Sequence, residues 1–314
     1  MSAAGPPQGA NGSAASSGRS PCATISCRPP STLADAPFGP GLRPARVDVP
    51  GGSAAAAASV GAVQSAAVLR VDGLTKSFGG DDVVHDVSFT VAAGELVALI
   101  GPNGAGKTTC FNLVNGQLAP DAGAVTLSGE RIDGLPPRAI ARMGVGRTFQ
   151  VAATFASMTV RENVQLALLA HAGAHRSVAA RATDRLRAEA DALLERVRMT
   201  KFAEAGCATL AYGDAKRVEL ALALACAPKL LLMDEPTAGM SPRSRGRLMQ
   251  LAADLARERK IAVLFTEHDM DVVFAHANRI IVLDRGRVIA EGTPEAIRAD
   301  ARVQAVYLGE DARI

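Results

Sequence analysis

The chain is predicted to be an α/β protein with a helical block inserted into its core, on three observations. Short apolar runs such as Leu96–Ile100 and Leu230–Met233 have the length and content of strands buried on both faces. Helical periodicity takes over between Val160 and Ala227. There Leu186, Ala190, Leu193, Leu194 and Val197 mark one apolar face, with Arg and Glu on the others. On both sides of that block strands and helices alternate, which is the α/β pattern.

Element by element, Val68–Val71 and Val83–Val91 are β-rich and are joined by a turn containing Gly79-Gly80-Asp81-Asp82. Glu95–Ile100 is the first fully buried strand. A Gly-rich turn follows, then a helix predicted from Lys107 to about Leu118. Ala124–Leu127 and Gly146–Phe149 read as strands. Leu230–Met233 and Ile261–Phe265 are short apolar strands beyond the helical block. Arg279–Leu283 and Arg287–Ala290 flank Asp284-Arg285-Gly286, a hairpin signal.

The composition breaks near residue 67. Of residues 1–66, 44 are Ala, Gly, Ser or Pro, too little apolar bulk to offset the entropy of ordering. Disorder is expected over 1–66, and a Ser-rich, acid-poor targeting peptide is the alternative. The globular part is then 67–314. The whole chain has 34 Lys+Arg and 31 Asp+Glu, a net +3, which is no nucleic-acid footprint. The uncharged run Val49–Leu69 has the length of a membrane span, but Pro50, three Gly and three Ser argue against one. Cys22, Cys27, Cys110, Cys207 and Cys226 show no metal or disulfide spacing and read as free thiols.

The strongest motif is Gly101, Pro102, Asn103, Gly104, Ala105, Gly106, Lys107, Thr108, Thr109. It fits G-x-x-x-x-G-K-[ST] and lies between a predicted strand and a predicted helix. Glycines let backbone N–H groups turn inward around phosphate oxygens, and the helix N-terminus adds positive potential. Lys107 reaches β- and γ-phosphates in such a loop, and Thr108 ligates Mg²⁺. At 127 residues beyond Lys107, an apolar strand ends in Asp234-Glu235. Asp234 there can hold Mg²⁺, and Glu235 can orient or deprotonate a water aimed at the γ-phosphate. Three weaker features accompany these. Gln150 after a β segment also reads as a polar loop residue, and His268 as a surface His. Leu210-Ala211-Tyr212-Gly213-Asp214 also reads as an N-cap turn.

In this order the five features resemble the ATP-binding subunit of ABC transporters, over 67 to about 309. The resemblance implies a P-loop NTPase (RecA-like) core with an antiparallel β subdomain and a helical subdomain at about 151–228. It matches 101–108 to the Walker A loop, Gln150 to the Q-loop, and 210–214 to the signature motif. It matches 230–235 to Walker B with the catalytic Glu, and His268 to the H-loop. Phe78 falls at the aromatic that stacks on adenine. The implied cofactors are ATP and Mg²⁺, with Thr108, Gln150 and Asp234 at the metal. Two subunits pair head to tail, as homodimer or heterodimer, so that Tyr212 and Gly213 of one face the ATP on the P-loop of the other. The signature departs from Leu-Ser-Gly-Gly-Gln at Ala211, Tyr212 and Asp214, and the D-loop reads Ala238-Gly239-Met240-Ser241.

Ala141–Gln150, Leu210–Gly213, Glu267–Met270 and Val306–Glu310 are similar to the branched-chain amino-acid importer ATPases. That likeness implies a motor on the cytoplasmic face of the bacterial inner membrane. Its partners would be two transmembrane permeases and, indirectly, a periplasmic substrate-binding protein, with no nucleic acid. The C-terminal Tyr307-Leu-Gly-Glu-Asp also resembles the lipopolysaccharide-export ATPase. Urea or amide importers and soluble non-transport ABC proteins are the further alternatives. His171 and His175 sit i, i+4 but lack a third ligand nearby and read as surface residues. Arg181–Arg198 reads as a solvated helical face.

Overall fold

The computed structural model describes residues 67–148, 154–173 and 180–308, without the side chains of 180–185 and 308. The extension expected over 1–66, Gln150, His175, Cys22 and Cys27 fall outside the described residues.

Strands β1 (Ala67–Phe78) and β2 (Asp81–Ala92) pair antiparallel across the Gly79-Gly80 turn. With β4 (Ala122–Leu127) and β5 (Glu130–Arg131) they form a four-stranded antiparallel sheet, in the order β2-β1-β4-β5. The second sheet has six strands. They are β3 (Leu96–Ile100), β6 (Val145–Thr148), β7 (Leu230–Asp234), β8 (Ala262–Thr266), β9 (Arg279–Asp284) and β10 (Arg287–Gly292). Their order is β10-β9-β3-β8-β7-β6, parallel throughout except for the β9–β10 hairpin. The expected antiparallel subdomain and parallel core are both present.

β3 shows why these residues make a central strand. All five are buried, and successive side chains leave the sheet on opposite faces. Val97 and Leu99 enter the core shared with the antiparallel sheet and α1 (Lys107–Val114). Leu96, Ala98 and Ile100 enter the core shared with the helices on the other face. The two sheets are tied together by Arg279. It donates to both oxygens of Glu95 at 2.7 and 3.0 Å and to the Thr90 carbonyl on β2 at 2.6 Å. Such bidentate charge-assisted bonds fix orientation as well as add energy.

α1 is shorter than the predicted Lys107–Leu118. It stops at Val114 because Gly116 turns left-handed at φ 75°, where a Cβ would lie 2.4 Å from the Leu135 carbonyl oxygen. After α2 (Pro137–Arg142) and β6 comes the helical insertion: α3 (Val160–His171), α4 (Ala180–Arg196) and α5 (Tyr212–Ala225). Thr159 and Glu162 form a reciprocal capping box at the start of α3. Ala190, Leu193, Leu194 and Val197 are buried as the periodicity predicts. α6 (Pro242–Arg259), α7 (Met270–His276), α8 (Pro294–Ala299) and α9 (Ala301–Leu308) complete the chain. Among the described residues no helix is long and apolar enough to cross a membrane. Cys110, Cys207 and Cys226 are free, and burial pushes the Cys110 thiol up to about 12.

Candidate functional site

The loop 101–106 connects the C-terminal end of β3 to the N-terminus of α1. β3 lies between β9 and β8, where connections diverge to both sides and a crevice opens above the strand ends. The loop is pressed into that crevice by its glycines. A Cβ on Gly101 would lie 2.2 Å from the Leu283 carbonyl oxygen of β9. A Cβ on Gly106, which caps α1 at φ 99°, would lie 2.6 Å from the Val83 carbonyl oxygen of β2.

Lys107 is buried, and its Nζ donates to the Gly101 and Pro102 carbonyls at 2.7 and 3.0 Å. Burial pulls its pKa below the usual lysine value, while the carboxylates of Glu235 and Asp234 oppose that shift. A cavity of about 200 Å³ lies over the loop, lined by Val83, residues 103–109, Glu235 and His268. The structure thus brings the P-loop together with two residues far along the chain.

Glu235 follows the last residue of β7 in a left-handed conformation, φ 45°, which is uncommon outside glycine and clusters at functional sites. Its N–H bonds to the Thr266 carbonyl at 3.2 Å and to Thr266 Oγ1 at 3.1 Å. Its Oε1 lies 2.8 Å from His268 Nε2. Thr266 Oγ1 also donates to Asp234 Oδ1 at 2.8 Å, and Arg147 donates to Asp234 Oδ2 at 3.3 Å. One threonine at the end of β8 therefore sets both acidic residues. Glu267 is buried and accepts the Thr237 N–H at 2.8 Å, and burial raises its pKa.

The other expected residues stand apart from this cavity. Phe78 ends β1 half-exposed, with Lys76 Nζ 5.6 Å from its ring centroid. Tyr212 and Gly213 open α5. Ala211 is the N-cap and no side chain caps the helix, since Ala offers no acceptor where Ser would. Lys216 Nζ lies 5.8 Å from the Tyr212 ring centroid and 2.9 Å from Glu219. Asp214 is paired with Arg217 at 3.3 Å. Arg147 and Glu267 lie inside the motif segments Ala141–Gln150 and Glu267–Met270, which give them no role of their own, and Thr266 lies outside every motif. Arg147 carried one local signal, a guanidinium in a short β segment, which must find acceptors when buried.

A sequence model described as "ABC transporter" matches residues 84–238. One described as "Branched-chain amino acid ATP-binding cassette transporter" matches 287–313. The high-affinity branched-chain amino acid transport ATP-binding protein BraF of Pseudomonas aeruginosa is 42% identical over 250 residues, 77% of this chain and 98% of BraF. The chain is a member of the ABC transporter ATP-binding family. Its ABC relatives include LivG of Escherichia coli, of the same description, at 39% identity over 254 residues, 77% of this chain and 98% of LivG. The lipopolysaccharide export ATP-binding protein LptB of Haemophilus influenzae is 38% identical, over 79% of this chain and 99% of LptB. Among solved structures, a nucleotide-free ATP-binding cassette from an ABC transporter superposes with a TM-score of 0.68 at 27% identity, covering 77% of this chain and 98% of its own. A dimeric cassette bound to ADP and Pi gives 0.62 at 26% identity, covering 72% and 98%. As a member of this family the chain is an ATP-binding cassette whose ATP hydrolysis is coupled to transport.

Proposed function

We propose that this cassette is the ATP-hydrolysing motor of an importer for branched-chain or related amino acids. The observation that carries the hydrolytic reading is the convergence of loop 103–109, Glu235 and His268 on one cavity. The cargo rests on the likeness to BraF and LivG and on the 287–313 match.

In this reading Gly101–Thr109 cradle the phosphates. Lys107 exchanges its two loop carbonyls for β- and γ-phosphate oxygens, which are stronger acceptors. Phe78 stacks on the adenine. Thr108, Asp234 and Gln150 would hold Mg²⁺, an all-oxygen donor set suited to a hard cation. When bound, that cation neutralises charge that develops on the phosphates. Glu235 takes the proton of the attacking water, and His268 holds the Glu235 carboxylate in line. Tyr212 and Gly213 of a second subunit meet the γ-phosphate from the far side. The uncapped N-terminus of α5 supports this, since its N–H groups and dipole favour an anion. Arg217 neutralises Asp214, which would otherwise repel one.

Residues 151–228 act as the helical subdomain in this reading. Phe155, 58% exposed five residues after Gln150, is suited to a permease contact, in keeping with a cassette held peripherally at the cytoplasmic face of the inner membrane. A periplasmic binding protein would deliver the cargo. Likeness to LptB favours lipopolysaccharide export as the second reading. Reconstitution with amino-acid importer permeases on one side and lipopolysaccharide-export permeases on the other decides between them. ATP-dependent uptake of labelled leucine, lost in Lys107→Ala, supports import. Lipopolysaccharide extraction without amino-acid uptake would replace it.

A further inference from the structure

Arg147 lies half-buried at the edge of the parallel sheet, and its surroundings define a strut. It sits on β6 opposite Leu232 of β7. Two residues further along β7, on the same face, is Asp234. The guanidinium is largely buried, with its side chain 12% exposed. It donates through Nη1 to Asn112 Oδ1 and Gln117 Oε1, both at 3.0 Å, and through Nη2 to Asp234 Oδ2 at 3.3 Å. Asn112 lies one turn after Thr108 on α1, so both occupy one face of that helix. The arginine therefore spans from the helix that carries Thr108 to the strand that carries Asp234. A planar fork with fixed donor directions can hold such a span, and a lysine point charge cannot.

The other Asp234 oxygen is held by Thr266 at 2.8 Å. With both oxygens engaged the carboxylate has one orientation. Partners of this kind that orient a metal-binding carboxylate are commonly worth tenfold or more in metal affinity.

We propose that Arg147 is a positioning residue that sets the separation between Thr108 and Asp234, and with it the contribution of the divalent cation to nucleotide binding. This rests on the reading above that Thr108 and Asp234 hold Mg²⁺. Arg147 is also three residues from Gln150, so the strut joins the cation site to the segment that leads into the helical insertion.

The test measures ATP affinity of the full chain twice, in Mg²⁺ and in EDTA, and takes the ratio. In Arg147→Met the ratio is expected to fall about tenfold, with the EDTA affinity within about twofold of wild type. Arg147→Lys is expected to recover only part of the loss. An unchanged or larger ratio in Arg147→Met overturns the proposal, because charge removal alone would favour the cation. So does an equal loss in EDTA, which marks a general structural defect, and so does full recovery by Lys. Asp234→Asn separates the two levels. If it lowers the ratio and Arg147→Met does not, only the strut is wrong. If Asp234→Asn leaves the ratio unchanged, the cation reading fails and takes the strut with it. Should Arg147→Met not fold, Asn112→Ala probes the strut from α1, with a smaller fall of the same sign expected and no fall overturning it.

Discussion

Glu235→Gln is the sharpest perturbation of the proposed hydrolytic site. Glutamine has the same shape, so the left-handed turn and the two bonds from the residue 235 N–H to Thr266 persist. An oxygen also remains within reach of His268, now 2.8 Å from Glu235 Oε1. What disappears is the ability to accept a proton and the negative charge facing Lys107. A positioned general base is worth roughly 10²–10⁴ in rate, or about 2.7–5.4 kcal/mol of barrier. Removing a negative charge from the edge of a phosphate cradle does not weaken ATP binding. The expected result is therefore a rate loss of roughly 10²–10⁴ with nucleotide affinity equal to or tighter than wild type. Single-turnover hydrolysis at saturating ATP gives the rate, and equilibrium binding of a fluorescent nucleotide gives the affinity. A rate within about threefold of wild type would refute the role of Glu235 as base. A parallel loss of affinity would show that Glu235 holds the loop instead.

Three other substitutions read separate parts of the structure. Gly106→Ala puts a Cβ 2.6 Å from the Val83 carbonyl oxygen at φ 99°; strain of about 1–3 kcal/mol is expected to displace the loop, and calorimetry should register at least tenfold weaker ATP binding. Phe78→Ala removes a half-exposed ring and is expected to weaken ATP binding roughly fivefold to a hundredfold if the ring stacks on adenine, while triphosphate binding by the same assay stays unaffected. Glu267 is buried with a raised pKa. The folded chain thus holds this proton to higher pH than the unfolded chain, whose value is about 4.3, and stability falls as pH rises through that window. Glu267→Gln keeps an acceptor for Thr237 and is expected to raise Tm at pH 7 but not at pH 4; the same Tm difference at both pH values would contradict this.

Much of the cradle is legible in the sequence because it is local. Gly101 to Thr109 are consecutive, and their strand and helix flanks declare themselves by apolar content and period. Glu235 is legible as the acidic end of an apolar run. Arg147 and Thr266 are not, because their work exists only once β6, β7 and β8 lie side by side. In the sequence one is a lone cation and the other a β-branched residue with nothing to mark its hydroxyl. The end of α1 is hidden from the sequence for a related reason. Leu118 continues the apolar pattern, but the space at Gly116 is set by Leu135, distant in sequence.

The place where the helical insertion departs has a consequence for how such chains diversify. It leaves after Thr148, at the C-terminal end of β6, and returns at Leu230, the start of the parallel neighbour β7, where Leu230 pairs with Val145. A parallel pair needs a crossover that carries the chain back to the starting end of the sheet, so the block cannot be an arbitrary splice. The P-loop, Glu235 and His268 follow β3, β7 and β8, outside the block, but Tyr212 opens its last helix, and Val160, Val164 and Leu194 share a core with β3 and β7. Exchange of this block between cassettes therefore offers a route to new membrane partners only where the crossover, the start of α5 and the shared core are kept.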